Sequence, residues 1–600
     1  MFAAIVAAAA QDFDVQSQYT KFQYRIPMRD GVKLFTTVYA PKDRSTKFPI
    51  LLTRTAYGTD PYKGDAYPDH LGPSRQFAED KFIFVYQDVR GRYMSEGEFV
   101  DIRPIKDVLT GPTDTDETTD AFDTIDWLVK NVPNNNGKVG LIGISYDGFY
   151  TSSGLIRAHP ALVAASPQAP MADLFMGDDA YHNGALFLVA NFSFYAGFPK
   201  QNNPVSSPPK EEFDYGTEDG YRFYLQMGPV ANSDKRYLLF KNPYWTDTYT
   251  HATYDTFWKS RDILPHLRRI APAVLVVGGW YDAEDLSGTL KTFRAIDSQS
   301  PATANTLVMG PWSHGGWHMA KGERLGDMSF GAPTAEYLRS IEFNFFQHYL
   351  KGAPDPGLAK AIVFETGANV WKQFDRWPPP ARAQRLYLHA RGKLSFDPPA
   401  EQNAFDEYMS DPDNPVPAFA TPTLTMNKSY MVADQRFIAK RKDVLHYVSD
   451  PLERDFTAAG PISPDLLVST TGGDSDFDVK LIDVRPDGYQ QLVRGEPFRG
   501  KFRHSFEHPE PFQAGVVEDI RFTMPDVYHC FRKGHRIMVE VQSSWFPLTD
   551  RNPQTFVDIP NAKPEQFVKA TERIYRSRDA ASFVEVNVEN YLPSRSTNVR

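Results

Sequence analysis

The sequence predicts an α/β domain followed by an all-β domain, because the texture of the apolar runs changes along the chain. In residues 24–166, short apolar runs alternate with helical patterns, and this alternation resumes in residues 273–309. Such alternation is typical of a parallel sheet covered by helices on both faces. After residues 351–356, strand and turn patterns follow one another, which indicates a separate two-sheet sandwich.

The elements of the first domain follow from local patterns. We expect a helix that begins near residues 114–117, an acidic stretch that continues into apolar residues at helical spacing. Residues 134–137, Asn-Asn-Asn-Gly, then break the chain. The expected strands share compact apolar runs bounded by turn residues, and they lie at 32–39, 49–53, 82–87, 138–142, 162–165, 273–277 and 306–309.

A chain of 600 residues is too long for one ordinary core, so we expect several domains. Residues 171–262 lose the strand pattern and become aromatic and Pro-rich, as expected of a cap inserted over a pocket. The predicted division is an N-terminal arm or truncated export signal at 1–20, an α/β domain at 21–170 and 263–354, a helical cap at 171–262, and an all-β domain at 355–600.

Composition excludes several classes of function. Lysine and arginine number 65 against 75 acidic residues, and a net charge of -10 disfavours nucleic acid and anionic membrane as partners. Cys530 is the only cysteine, so neither an intramolecular disulfide nor a cysteine metal site is expected. No HExxH motif or regular calcium loop occurs, and we expect no metal or cofactor. Residues 474–478, Asp-Ser-Asp-Phe-Asp, are interpreted as a β-turn.

The N-terminus, MFAAIVAAAA, is similar to the apolar region and cleavage site of an export signal but lacks the basic residues that normally precede it. A truncated signal, with Gln11 as the mature start, predicts a periplasmic or secreted protein. A harmless Ala-rich terminus is the alternative. No other stretch is long and apolar enough to span a bilayer.

Residues 143–148, Gly-Ile-Ser-Tyr-Asp-Gly, predict a nucleophile elbow, because they follow an apolar run and precede a helix-compatible segment. The glycines leave room for the sharp turn, and the new helix directs its first N–H groups toward developing negative charge. Ser145 is the expected nucleophile of an acyl-enzyme mechanism. The second glycine lies three residues after Ser145 rather than two, so an ordinary Gly-rich turn is the alternative.

Two further strand ends carry the partners that such a serine needs. Asp282 and His314 follow the runs at 273–277 and 306–309, and the order serine, acid, base is the one used by α/β-hydrolases. His314 would accept and return the proton, while Asp282 would orient the imidazole. Asp285 is a rival for the role of Asp282.

An oxyanion formed by attack of Ser145 needs about two donors. Elbow geometry makes the backbone N–H of Tyr146 one of them. The second is a backbone amide or the phenol of Tyr57, which follows an early strand.

These residues together resemble the serine hydrolase group that includes α-amino acid ester hydrolases, cocaine esterase and X-prolyl dipeptidyl peptidases. The segments that carry the resemblance are 54–57, 88–97, 143–148, 310–315, 535–536, 544–547 and 550–553. The resemblance implies an α/β-hydrolase domain with a helical cap and a C-terminal jelly-roll domain. It also makes the Tyr57 hydroxyl the second oxyanion donor. One departure is Ala56, where relatives often carry proline.

Two segments are similar to α-amino acid ester hydrolases in particular, residues 280–285 and 176–184. The resemblance implies that Asp179, Glu284 and Asp285 receive the ammonium group of the substrate, with Asp178 a less favoured neighbour. Buried carboxylates suit a cation and would serve a neutral acyl chain poorly. The alternative is that these acids are solvated or pair with Arg261 or Arg268.

The expected activity is hydrolysis of α-amino acid esters and amides through an acyl-enzyme, with acyl transfer to amines and action on β-lactam side chains implied by the resemblance. The expected partner is a small ester or amide with a free α-amine. A glutaryl or aryl acylase, a carboxylesterase and, less favoured, an X-prolyl dipeptidyl peptidase stay open, as does an inactive binding protein. The resemblance also implies a homo-oligomer, but the short segment before the first strand leaves dimer and tetramer open.

Overall fold

A computed structural model describes residues 13–201, 204–206 and 213–589. Most of the segment expected to carry an export signal, residues 1–12, lies outside the described residues, so location stays a prediction. The first domain is built on one ten-stranded sheet. Its strands are β1 Tyr19–Pro27, β2 Lys33–Pro41, β3 Phe48–Thr55, β4 Ile83–Asp88, β5 Asn135–Ile144, β6 Leu162–Gln168, β7 Ala273–Gly279, β8 Asn305–Gly310, β9 Ala361–Glu365 and β10 Val370–Phe374.

The spatial order of the strands is β1-β2-β4-β3-β5-β6-β7-β8-β9-β10. Pairing is parallel from β4 through β9, as expected for strands separated by helices. The expectation of a parallel sheet fails at β2, which pairs antiparallel with both β1 and β4. Only a short turn joins β1 to β2, and a parallel pair needs a longer crossover.

Helices cover this sheet, and the longer ones are Glu117–Asn131, Tyr146–Leu155, Leu286–Gln299 and Thr334–Phe346. The first begins where the acidic stretch predicted it, because the Asp116 carboxylate accepts hydrogen bonds from the N–H groups of Thr118 and Thr119. Its apolar side chains at helical spacing, such as Ile125 and Leu128, are fully buried. Among the described residues, none of the helices is long and apolar enough to cross a membrane.

The regular elements described in residues 171–262 are mainly short helices, as expected of a cap, and they include Leu188–Ala196, Gly220–Met227, Pro243–Thr250 and Thr256–Lys259. Aromatic side chains form its core. Phe192 lies 5.9 Å from Trp245 between ring centroids, and both side chains are fully buried. Burial of large aromatic rings compensates for the shortness of these helices.

The C-terminal region is all-β, with strands Ala381–His389, Lys393–Ser395, Phe405–Ser410, Val444–Val448, Phe456–Thr470, Asp478–Val484, Gln490–Glu496, Glu518–Arg521, Met524–Phe531, Arg536–Gln542, Ala570–Ser577, Ala580–Ala581 and Phe583–Glu589. Phe456–Thr470 pairs with four other strands and shifts register near Gly460. The jelly-roll arrangement of these strands stays a prediction.

The main sheet extends past the boundary expected between residues 354 and 355. Strands β9 and β10 lie after that boundary, yet β9 pairs in parallel with β8 and β10 pairs with β9. All five residues of β9 are buried. The first two strands after residue 356 therefore belong to the edge of the α/β sheet, and the strands of the all-β region follow them.

Candidate active site

Ser145 lies at the turn between β5 and the helix Tyr146–Leu155, as the elbow pattern predicted. Its backbone has φ 64° and ψ −125°, a conformation that residues with a side chain rarely adopt. A Cβ at Gly143 would lie 2.2 Å from the backbone oxygen of Asp147, and one at Gly148 would lie 2.5 Å from that of Gln168. Both glycines are therefore needed for the close packing that holds this turn.

His314 and Asp282 meet at the ends of β8 and β7. The Nδ1 atom of His314 lies 3.0 Å from both carboxylate oxygens of Asp282. Asp282 also accepts hydrogen bonds from the backbone N–H groups of Glu284 and Asp285, at 2.9 and 3.0 Å. The rival Asp285 lies farther away, with its Oδ2 3.7 Å from His314 Nδ1. The geometry therefore favours Asp282 as the partner of the imidazole.

The charge on His314 depends on its acidic neighbours. Burial alone would lower the pKa of His314, but the carboxylates of Asp282 and Glu284 outweigh that effect and raise it to about 10. Burial would raise the pKa of Asp282, whereas the positive charge and the hydrogen bond of His314 hold it below its usual value. Both shifts favour an ion pair of imidazolium and carboxylate in the unliganded site.

Ser145 and His314 line one cavity of about 430 Å³ between the α/β domain and the cap. Its polar lining includes Tyr57, Asp179 and Glu284. The apolar lining comes mostly from the cap side, with Met171, Leu174 and Phe194 among its residues. A cavity of this size and mixed lining is typical of small-molecule sites.

Both tyrosines expected near the oxyanion lie at this cavity. The hydroxyl of Tyr146 donates to Asp101 at 2.7 Å and accepts from the N–H of Ile102 at 2.7 Å, so its ring is fixed. Its backbone N–H belongs to the first turn of a helix, where N–H groups have no partner inside the helix.

The ring of Tyr57 packs edge-on against that of Tyr146, with the centroids 6.3 Å apart. Although 42% of Tyr57 is exposed, its phenol group lies close to protein on the cavity side. Desolvation there, together with the nearby carboxylate of Asp147, raises the pKa of Tyr57 well above its usual value. The hydroxyl therefore keeps its proton and can donate a hydrogen bond.

The three acids expected to receive an ammonium occupy two positions. Asp179 and Glu284 line the cavity, and the Oε2 of Glu284 lies 3.4 Å from His314 Nε2. Asp285 is fully buried and does not line the cavity, and among the described residues neither of its carboxylate oxygens has a hydrogen-bond partner. Desolvation is the main cause that raises the pKa of Asp179 and of Asp285 well above the usual value. Repulsion adds to it, from Glu284 in the case of Asp179 and from Asp179 in the case of Asp285.

Asp178 has a different role from its neighbour Asp179. Its carboxylate is fully buried and accepts hydrogen bonds from the backbone N–H groups of Ala172, Asp173 and Gly288. It therefore joins the start of the cap to the helix Leu286–Gln299, in agreement with its lower rank in the sequence analysis.

The arginines proposed as alternative partners of the acids bind elsewhere. Arg261 donates to the backbone oxygens of Asp101 and Phe257, and Arg268 donates to Gln299. Within the described part of the chain, no lysine or arginine forms an ion pair with Asp179, Glu284 or Asp285. Among the described residues, His314 is thus the only basic side chain within ion-pair distance of Glu284 and Asp285.

Sequence reasoning missed three residues of the site. Asp101 accepts hydrogen bonds from Tyr146 and Tyr195, both at 2.7 Å, and its position four residues after Gly97 of a quoted motif was the available signal. Asp147 follows the elbow tyrosine, and burial raises its pKa to about 8. Lys428 lines the cavity from the all-β side, and no local pattern pointed to it.

Comparisons with known proteins place the chain in a family. Residues 30–316 match the family model for X-Pro dipeptidyl-peptidase (S15 family), and residues 357–585 match its C-terminal non-catalytic domain. Cocaine esterase from Rhodococcus sp. (strain MB1 Bresler) is 30% identical over 93% of this chain and 96% of its own length.

Two solved structures are similar over nearly the whole chain. An α-amino acid ester hydrolase is 38% identical with a TM-score of 0.89, and the match covers 98% of this chain and 100% of that one. An aminopeptidase from a marine sediment archaeon, Thaumarchaeota archaeon, is 37% identical with a TM-score of 0.89, covering 98% and 99% of the two chains.

Proposed function

This chain belongs to the S15 family of serine hydrolases, and from its site we propose that it hydrolyses esters of α-amino acids through an acyl-enzyme. The single observation that carries the proposal is the pair of carboxylates, Asp179 and Glu284, that line the same cavity as Ser145 and His314 without a lysine or arginine partner among the described residues. Unpaired desolvated carboxylates are costly, and a substrate ammonium would offset that cost.

In the proposed mechanism, the hydroxyl of Ser145 attacks the ester carbonyl while Nε2 of His314 takes its proton. Asp282 holds Nδ1 and stabilises the imidazolium that forms. The N–H of Tyr146 and the hydroxyl of Tyr57 donate to the oxyanion. His314 then protonates the leaving alkoxide, and a water molecule, deprotonated by the same imidazole, releases the acid from Ser145.

The ammonium would also prepare the base. Glu284 faces Nε2 of His314, the atom that must accept the proton, and together with Asp282 it favours the charged imidazolium. A cation bound between Asp179 and Glu284 would weaken that effect, so more of His314 would be neutral in the complex. Selectivity for amino substrates would then act on the chemical step as well as on binding.

We extend the proposal to amides and short peptides of the same amino acids, because one of the similar structures is an aminopeptidase. Met171, Leu174 and Phe194 supply the apolar wall for an aromatic or aliphatic side chain. Transfer of the acyl group to an added amine, including a β-lactam nucleus, would need only that the amine reach the acyl-enzyme before water does.

The second candidate is a general carboxylesterase or acylase with the same serine mechanism. It is favoured by the similarity to cocaine esterase. This candidate leaves Asp179 and Glu284 without a ligand, which is why we rank it second.

A pair of substrates separates the two candidates. Phenylglycine methyl ester and phenylacetic acid methyl ester differ mainly by the α-amine, and we expect kcat/KM to be about a hundredfold higher for the amino ester, equivalent to about 2.7 kcal/mol at the transition state. Equal values for both esters would overturn the ammonium site and favour the general esterase.

A further inference from the structure

Lys428 is the single lysine or arginine among the described residues that line the cavity. Its side chain is exposed, and within the described part of the chain it forms no ion pair. The acids Asp179 and Glu284 line the same cavity. The cavity therefore carries negative charge beside Ser145 and one uncompensated positive charge contributed from the all-β side.

The segment that carries Lys428 is anchored on both sides. Before it, the hydroxyl of Tyr224 in the cap donates to the backbone oxygen of Leu424 at 2.8 Å. After it, the side chain of Asn427 accepts from the N–H and the hydroxyl of Ser429, at 3.0 and 2.9 Å. Tyr430 is buried, with its ring 5.8 Å from that of Trp545. The backbone of Lys428 is thus held against the cavity by both neighbouring regions.

A cation held at a site without a partner attracts an anionic part of a ligand. The acyl part of an amino ester would place its ammonium at Asp179 and Glu284 and its carbonyl at Ser145. What remains for Lys428, an exposed member of the lining, is the leaving group as it extends toward solvent.

We propose that Lys428 is a specificity-determining residue that selects leaving groups carrying a carboxylate, such as the second residue of a dipeptide or a hydroxy acid. This inference rests on the proposed function, because it takes the acyl part as already placed by Ser145 and the two acids. The preferred substrate is then zwitterionic, with an ammonium at one end of the cavity and a carboxylate at the other.

The test uses two esters of phenylglycine, one of glycolic acid and one of glycolamide, which differ by a negative charge on the leaving group. The measured quantity is the ratio of kcat/KM for the glycolate ester to that for the glycolamide ester. Comparing this ratio between enzymes cancels the intrinsic reactivities of the two esters. We expect Lys428→Gln to lower it roughly fivefold, the effect of one exposed charge pair, and Lys428→Glu to lower it further.

The control variant is Lys442→Gln, which removes an exposed lysine of the same region that does not line the cavity. It should leave the ratio unchanged. Added salt should lower the ratio in the wild type and have little effect in Lys428→Gln. The glycolamide ester reports folding and basal activity, which the control Lys442→Gln should leave intact.

An unchanged ratio in both Lys428 variants would overturn the proposal. Failure of the proposed function would appear differently, as equal kcat/KM for phenylglycine and phenylacetic acid methyl esters in the wild type. The two results are independent, because neither methyl ester carries a charge on its leaving group.

Discussion

Two groups of acids in this molecule differ in the partners that balance their charge. In the all-β region, Asp476 and Asp550 both pair with Arg499, at 3.0 and 2.9 Å, and all three side chains are almost fully buried. At the cavity, Asp179, Glu284 and Asp285 have no lysine or arginine as an ion-pair partner among the described residues, and His314 lies within 4 Å of Glu284 and Asp285.

We infer that the difference separates charges that stabilise the fold from charges that a bound ligand would balance. Arg499 also links regions of the chain, because Asp550 accepts the N–H of Leu186 in the cap segment while Arg499 binds Asp550. The segment 474–478, interpreted from sequence as a β-turn, thus contributes Asp476 to a buried ion pair. Where the chain supplies its own cation the group is structural, and where it does not, the cation is expected from outside.

The largest expected effect concerns Ser145, the serine beside the acids at the cavity. Replacing Ser145 by alanine removes the nucleophile, and we expect kcat to fall by about 10⁵-fold on every ester substrate. Steady-state kinetics and labelling with a fluorophosphonate probe, followed by peptide mapping, would measure it. Labelling of another serine, or a variant with nearly full turnover, would show that the cavity is not the active site.

The acids paired with Arg499 are tested by removing that arginine. Arg499→Gln leaves Asp476 and Asp550 buried without a cationic partner, and we expect a loss of about 3–5 kcal/mol of stability. Thermal unfolding should show a lower Tm, while kcat/KM of the folded fraction stays close to that of the wild type. An unchanged Tm would mean that this ion pair contributes little and that the contrast between the groups is not energetic.

The acids at the cavity are tested by removing one of them. Asp179→Asn should lower kcat/KM for phenylglycine methyl ester about a hundredfold, because the ammonium loses a desolvated partner. Activity on phenylacetic acid methyl ester should not fall. Asp101→Asn is the matched control, since Asp101 lines the same cavity but is already hydrogen-bonded by two tyrosines. Equal losses on both esters in Asp179→Asn would exclude an ammonium site.

Replacing Asp285 should have a smaller effect on activity than replacing Asp179. Its effect on stability should have the opposite sign to that of Arg499→Gln. Both of its carboxylate oxygens lack hydrogen-bond partners among the described residues, so Asp285→Asn removes an unpaired buried acid. We expect Tm to be unchanged or higher and kcat/KM for the amino ester to fall by about tenfold. A clear drop in Tm would instead place Asp285 with the structural acids.

The smallest expected effect is a shift in pH dependence. The pKa of His314 is raised by its acidic neighbours to about 10, and only neutral imidazole accepts the serine proton, so kcat/KM for phenylacetic acid methyl ester should rise with pH toward that value. Asp179→Asn removes one of these acids, lowers the pKa of His314 and moves the rise to lower pH by roughly one unit at most. The uncharged ester is needed because its own protonation does not change. A shift to higher pH would contradict the electrostatic account.

Local sequence patterns predicted the elements that depend on neighbouring residues. The apolar runs predicted β5, β7 and β8 to within a few residues, and the acidic stretch at 114–117 predicted the start of the helix Glu117–Asn131. Gly143 and Gly148 indicated the sharp turn at Ser145, because that backbone tolerates no side chain at either position. The antiparallel pairing of β2 and the assignment of β9 to the main sheet were not predicted, since pairing direction and sheet membership depend on distant strands.

The sequence by itself determined the α/β architecture, the family motifs and the order of Ser145, Asp282 and His314, because each is visible in short segments and in their order along the chain. Tertiary structure decided which acid faces which partner. It separated Asp282 from Asp285 by 0.7 Å in their distance to Nδ1, at 3.0 and 3.7 Å, buried Asp178 among backbone N–H groups, and brought Lys428 to the cavity from nearly 300 residues beyond Ser145. Charge interactions act through space over several ångströms, so residues distant in sequence set them, and only the folded chain brings those residues together.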